Sequence, residues 1–151
     1  MSEVAPRIDK PRVDEPRILV IGAGPAGVAA AIRLRDRGHA TRLVDRAVFP
    51  RDKVCGCCLN MAAIASLAKI GCDKVVTGLT DRSLNRWEMR LGGRSVSAPL
   101  PGGIAISRSA MDAALVAEAR RRGVEVIMGC AARVLDVRRD GVTVSLRMTE
   151  D

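Results

Sequence analysis

The sequence predicts an α/β fold of Rossmann-like type: a parallel sheet with a helix crossing between its strands, and antiparallel hairpins appended to it. Three observations carry this expectation. The short apolar, β-branched run Arg17–Ile21 ends at a glycine cluster, as a buried parallel strand does. From Pro25 the spacing turns helical, with Val28, Ala31, Ile32 and Leu34 on one broad face. A second strand pattern, Ala40–Asp45, then completes strand, helix, strand, which is a βαβ unit.

The elements follow in order. Residues 1–16 are polar, carry Pro6, Pro11 and Pro16, and read as a disordered tail ahead of one folded unit, 17–151. The first helix spans 25–37, with Pro25 suited to its first turn and Gly38 to the position beyond its end. Residues 46–58 read as irregular. Leu59–Ile70 reads as a helix closed by Gly71, and 72–83 give no signal. Leu84–Leu91 and Arg94–Leu100 flank Gly92-Gly93, a hairpin. A short strand over Ile104–Ser107 leads to a helix from about Ala110 to Arg122 and a strand over Val124–Met128. Ser109 is the expected cap of that helix, and Asp112, three residues on, the partner in an approximate capping box. Arg133–Arg147 reads as a second hairpin turning at Asp140-Gly141.

Composition narrows the function classes. Lys and Arg number 25 against 17 Asp and Glu, a net charge of +8, which raises the question of a nucleic-acid partner. The arginines are scattered, and Phe49 and Trp87 are the only aromatics, so no stacking platform exists; nucleic acid is not an expected partner. The one dense run, Arg120-Arg121-Arg122, precedes Gly123, where cations complement a helix C-terminus. No apolar run is long enough to cross a bilayer, which leaves peripheral membrane contact open. Five cysteines, an odd number with no secretory h-region ahead of them, argue against a disulfide scaffold and for a reducing cytoplasm. Cys55, Cys57 and Cys58 do not make a zinc site, because Cys72 and Cys130 stand alone and His39 sits in a turn, so no metal is expected.

The chemistry sits in Gly22-Ala23-Gly24-Pro25-Ala26-Gly27, a G-x-G-x-x-G that follows a strand, opens a helix, and has Asp45 18 residues beyond its last glycine. Gly22 permits the turn out of the strand, Gly24 lets backbone approach a pyrophosphate, and Gly27 lets the helix pack closely. The pyrophosphate would sit on the helix N-terminus, and Asp45 could accept hydrogen bonds from an adenosine ribose. This much fits NAD as well as FAD.

Phe49-Pro50-Arg51-Asp52-Lys53-Val54-Cys55-Gly56 follows the second strand, and Ile106-Ser-Arg-Ser-Ala-Met-Asp-Ala-Ala-Leu115 opens the later helix. With the glycine unit, these segments resemble the FAD enzymes of the geranylgeranyl reductase, halogenase and aromatic hydroxylase group over about residues 17–148. The resemblance implies an FAD-binding fold of glutathione-reductase type, with the 84–100 hairpin belonging to the substrate-side sheet. It implies FAD as cofactor, NAD(P)H as the electron donor to consider, and a small substrate of apolar or aromatic character. By the same resemblance Gly22, Gly24, Pro25, Ala26 and Gly27 bind the pyrophosphate and Asp45 the ribose, where Glu is commoner. Arg51 lies near the phosphates or ribityl chain, Cys55 and Gly56 bring backbone to the flavin, Arg108 pairs with the phosphate or ribitol region, and backbone at Ala132 meets the adenine. Such enzymes carry a further FAD motif and a substrate domain downstream, so the chain is expected to be a truncated, N-terminal part. The competing readings are an NAD(P)-binding module and a non-catalytic fragment.

Overall fold

The computed structural model describes residues 17–55 and 57–149; the expected tail over 1–16 and the site residue Gly56 lie outside them. Strand β1 (Arg17–Ile21), helix α1 (Pro25–Asp36) and strand β2 (Ala40–Asp45) form the βαβ unit. β2 pairs in parallel with β1 on one side and with β7 (Glu125–Met128) on the other. This three-stranded sheet has the order β1-β2-β7. Helix α4 (Arg108–Arg121) leads into β7 and packs against both it and α1.

The core lies where α1 and α4 meet this sheet. Val28, Ala31 and Ile32 of α1, Leu43 of β2, and Leu115, Val116 and Ala119 of α4 are each at most 2% exposed. With almost no aromatic side chains to use, the interior is filled by interlocking aliphatic ones, which stabilise through the apolar area they remove from water. Helix α3 (Asp73–Thr77) adds Val76 to the same cluster.

Several elements depart from the sequence expectation. Leu59 belongs to a three-residue strand, β3 (Cys58–Asn60), pairing antiparallel with β6 (Gly103–Ala105). Helix α2 therefore starts later, at Met61–Ala68, and Asn60 caps it by accepting the Ala63 N–H at 2.9 Å. The stretch without a signal holds α3, too short for a periodic pattern to register. Helix α4 starts two residues earlier than expected: Ser107, not Ser109, accepts the Ala110 N–H at 3.1 Å. Asp112 consequently takes no part in a capping box and turns to Arg108.

The two hairpins form sheets of their own. β4 (Arg86–Leu91) and β5 (Arg94–Pro99) meet at Gly92 and Gly93, whose φ angles of 55° and 76° suit a type I′ turn. β8 (Cys130–Val137) and β9 (Val142–Met148) pair as far as Val137↔Val142. Their connection is thus the longer Arg138–Gly141 loop, closed by the Arg138 N–H on the Gly141 carbonyl at 2.8 Å, rather than a two-residue Asp140-Gly141 turn. The start of β8 contacts β2, which brings it to the C-terminal end of the parallel sheet.

Candidate functional site

At that end of the sheet lies a cleft of about 600 Å³. Its floor is the glycine loop, where Gly22, Gly24, Ala26 and Gly27 all line it. Ile21, Val44 and Asp45 come from the strand ends, Arg46, Arg51 and Lys53 from the following loop, and Cys130, Ala131 and Ala132 from the start of β8. In an open α/β sheet this is where ligands bind, beyond the carboxyl ends of the strands.

The loop's geometry follows from its glycines. Gly22 turns out of β1 with φ of 101°, a conformation that L side chains rarely adopt. A Cβ at Gly27 would stand 1.8 Å from the Gly22 carbonyl oxygen, so the helix can start this close to the strand end only with glycine there. At Gly24 a Cβ would meet nothing within 4 Å; that flank of the loop faces open space.

Helix α1 has Gly24 as its N-cap, no side chain caps it, and no acidic residue stands in its first turn. Its leading N–H groups have no intrahelical acceptor, and Pro25 contributes none of its own. Those of Ala26 and Gly27, at the positive end of the helix dipole, are donors for an anion.

Asp45 is the acid of the cleft and is 5% exposed. Its Oδ2 accepts the Ala23 N–H at 2.7 Å and its Oδ1 accepts the Ala47 N–H at 2.9 Å. Arg51 stands over both oxygens at 3.5 Å, longer than a close charge-assisted bond. Its guanidinium lies 4.6 Å from the centre of the Phe49 ring, a cation–π contact. The Arg51 Nε is buried and has no hydrogen-bond partner. A buried donor left without an acceptor is costly, which suits a site where the ligand supplies the acceptor. Arg46 and Lys53, beside it, add positive charge.

The cleft thus brings together Gly22, Gly24, Ala26, Gly27, Asp45, Arg51 and Ala132 from the expected set. Pro25 sits at the helix start but does not line the cleft. Arg108 does not line it either: its Nε and Nη2 donate to Asp112 Oδ1 and Oδ2, each at 2.9 Å, and Asp112 is 1% exposed. The Asp112 carboxylate is the main reason that the Arg108 pKa lies above its usual value, and the neighbouring Cys55 side chain adds to it. Cys55 is exposed and does not line the cleft either. Arg46, Lys53, Cys130 and Ala131 were not expected. Arg46 follows Asp45 directly, a signal the sequence held; Cys130 and Ala131 carry none. Among the described residues no group of three His, Cys, Asp or Glu is placed to hold a metal ion, and no helix is long and apolar enough to cross a membrane.

Comparison with known proteins gives consistent matches. The family described as pyridine nucleotide-disulphide oxidoreductase matches residues 16–150. The menaquinone reductase of Mycolicibacterium smegmatis is 33% identical over 131 residues, covering 82% of this chain and 31% of the relative. Among solved structures, a flavoprotein/dehydrogenase from Cytophaga hutchinsonii superposes with a TM-score of 0.76 at 23% identity, over 87% of this chain and 35% of that one. The myxobacterial chondrochloren halogenase, described as a variant of FAD-dependent halogenases, gives 0.75 at 23% identity, over 87% and 33%. The chain therefore spans about a third of the length of the proteins that it matches.

Proposed function

The chain belongs to the pyridine nucleotide-disulphide oxidoreductase family, as an FAD-binding oxidoreductase domain, and from that premise we propose that its cleft holds the adenosine diphosphate half of FAD. The observation that carries this reading is that residues of one cleft bear an uncapped helix N-terminus, open space beside Gly24, and the buried, acceptor-less Nε of Arg51. Those three features fit a pyrophosphate.

FAD, when bound, supplies the electron transfer, and the chain supplies binding, orientation and electrostatics. The N–H groups of Ala26 and Gly27 hold the pyrophosphate, reached over Gly22 and Gly24, with Pro25 fixing the helix start. Arg51 gives the pyrophosphate its fork of donors, and Arg46 and Lys53 raise the local positive potential. Asp45 takes a ribose hydroxyl on the lone pairs its backbone donors leave free. Backbone at Ala132 meets the adenine. Arg108, locked by Asp112, and its neighbour Cys55 serve the flavin-side end of the cofactor, together with Gly56.

For the whole protein we propose reduction of a lipophilic substrate of isoprenoid or quinone type, with NAD(P)H as electron donor. The name of the mycobacterial relative, menaquinone reductase, supports that substrate class, as does the resemblance of Phe49–Gly56 to geranylgeranyl reductases. The β4–β5 hairpin is assigned to the substrate side, since Trp87, Met89 and Val96 present an exposed apolar row. A cytoplasmic setting fits five cysteines that are all free.

The test is a visible absorption spectrum of the purified chain before and after FAD is added and the sample desalted. Retained flavin bands, weakened at least about tenfold in affinity by Arg51→Ala, are expected from the loss of a charged hydrogen-bonding partner. Binding of NAD without retention of flavin would overturn the assignment.

A further inference from the structure

Asp45 is assigned above to a ribose, yet each of its two oxygens already accepts a backbone N–H. Its Oδ2 accepts the N–H of Ala23, a residue 0% exposed that lies between the first two glycines of the loop, and this bond is buried. One residue earlier, the Gly22 N–H donates to the Val44 carbonyl at 2.8 Å. Two consecutive N–H groups of the loop are thus fastened to two consecutive residues at the end of β2, one to backbone and one to a carboxylate. This pair fixes the path along which the chain leaves β1 and enters α1. The same carboxylate also takes the Ala47 N–H on its other oxygen at 2.9 Å, so it ties the loop that carries Arg51 to the loop that carries the glycines.

We propose that Asp45 is a positioning residue for the phosphate-binding loop: by holding the Ala23 N–H it sets the direction in which the free N–H groups of Ala26 and Gly27 point, a task separate from any contact with a ribose. The proposal rests on reading the cleft as the site of a dinucleotide. A carboxylate is required because two N–H donors converge on it from different segments. An asparagine offers one acceptor oxygen and one NH2 group, so whichever way its amide turns, a donor faces either Ala23 or Ala47. Such a mismatch at a buried N–H costs more than the bond it replaces.

Two ligands separate the two tasks. ADP carries both ribose and pyrophosphate, whereas inorganic pyrophosphate carries no ribose. Affinities of both are measured by calorimetry on the chain and on Asp45→Asn. A positioning role weakens pyrophosphate on the order of tenfold, for a loss of about 1.4 kcal/mol, and weakens ADP by at least that factor, since any ribose contact is altered as well. If D45N weakens ADP and leaves pyrophosphate untouched, Asp45 acts on the ribose alone and the proposal is wrong. If the wild-type chain binds neither ligand, the reading of the cleft falls, and the proposal with it. Amide hydrogen exchange on the wild-type chain needs no variant: the Ala23 N–H should exchange slowly in the absence of ligand. Exchange at the rate of an open loop would overturn the proposal independently.

Discussion

A Cβ added at Gly27 would stand 1.8 Å from the Gly22 carbonyl oxygen, whereas one added at Gly24 would meet nothing within 4 Å. Two glycines of one motif therefore answer to different constraints, folding in the first case and ligand access in the second. Gly27→Ala is expected to lower stability by about 2 kcal/mol or more, since backbone must move to relieve the overlap. Gly24→Val, where φ is −72° and a side chain meets no neighbour, is expected to keep stability within about 0.5 kcal/mol. It should nevertheless abolish measurable FAD binding. Urea denaturation and an FAD titration on both variants check this; a G24V chain that binds FAD normally would contradict it. The glycines and Asp45 were legible in the sequence because spacing alone defines the motif. The Ala23–Asp45 bond was not, because it joins residues 22 apart and depends on the path of the loop. Arg108 was legible as a cation at a helix entrance, but its commitment to Asp112 was hidden by the competing reading of Asp112 as a capping residue.

Helix α4 is the element on which most side-chain pairing converges. Ser107 caps its start, so Ser107→Ala is expected to cost about 1 kcal/mol and Ser109→Ala no more than a few tenths. Thermal or chemical denaturation of the pair distinguishes them, and equal losses would contradict the assignment. At the other end Glu118, 6% exposed, accepts from Arg121 and Arg122 at 2.7 Å. Hydrogen bonds from Arg121 first, and then from Arg122, hold its carboxyl down at about 2 against an ordinary 4.5. A carboxyl whose folded pKa is depressed contributes stability above its unfolded value and loses it as pH falls toward the folded one. The window is therefore pH 4.5 down to 2. The shift sets a ceiling of about 3 kcal/mol; because Arg121 is 71% exposed, screening leaves about 2 kcal/mol. Glu118→Gln should destabilise the chain at pH 7 and flatten the acid limb of its stability curve. An unchanged acid limb would rule out this pairing as its source. Arg122 also donates to the Ile70 and Gly71 carbonyls, each at 2.9 Å, fastening the end of α2 to α4. The sequence placed Arg120–Arg122 at a helix terminus through the dipole argument, but its bonds to a different segment come from tertiary packing. The short elements β3 and α3 escaped for a simpler reason: three to five residues cannot display a period, whereas β6 was expected as a short strand over Ile104–Ser107 and lies at Gly103–Ala105.

At the scale of the molecule, the βαβ unit, the late helix and strand, and both hairpins were all legible, because buried strands, an amphipathic helix and glycine turns each leave a local signature. Strand order was not. β7 lies beside β2 although about eighty residues separate them, and that adjacency is decided by which strand the α4 face can cover. The cleft arises from this arrangement, since it exists only where β1, β2 and the start of β8 end together above the glycine loop. We propose this cleft as the seat of FAD. Hydrogen–deuterium exchange of the chain with and without FAD, with NAD as comparator, tests it most directly. Protection by FAD is expected at residues 22–27, 45–53 and 130–132, with the β4–β5 hairpin unchanged. Binding of FAD with no protection in those three segments, or protection of them by NAD alone, would contradict the claim.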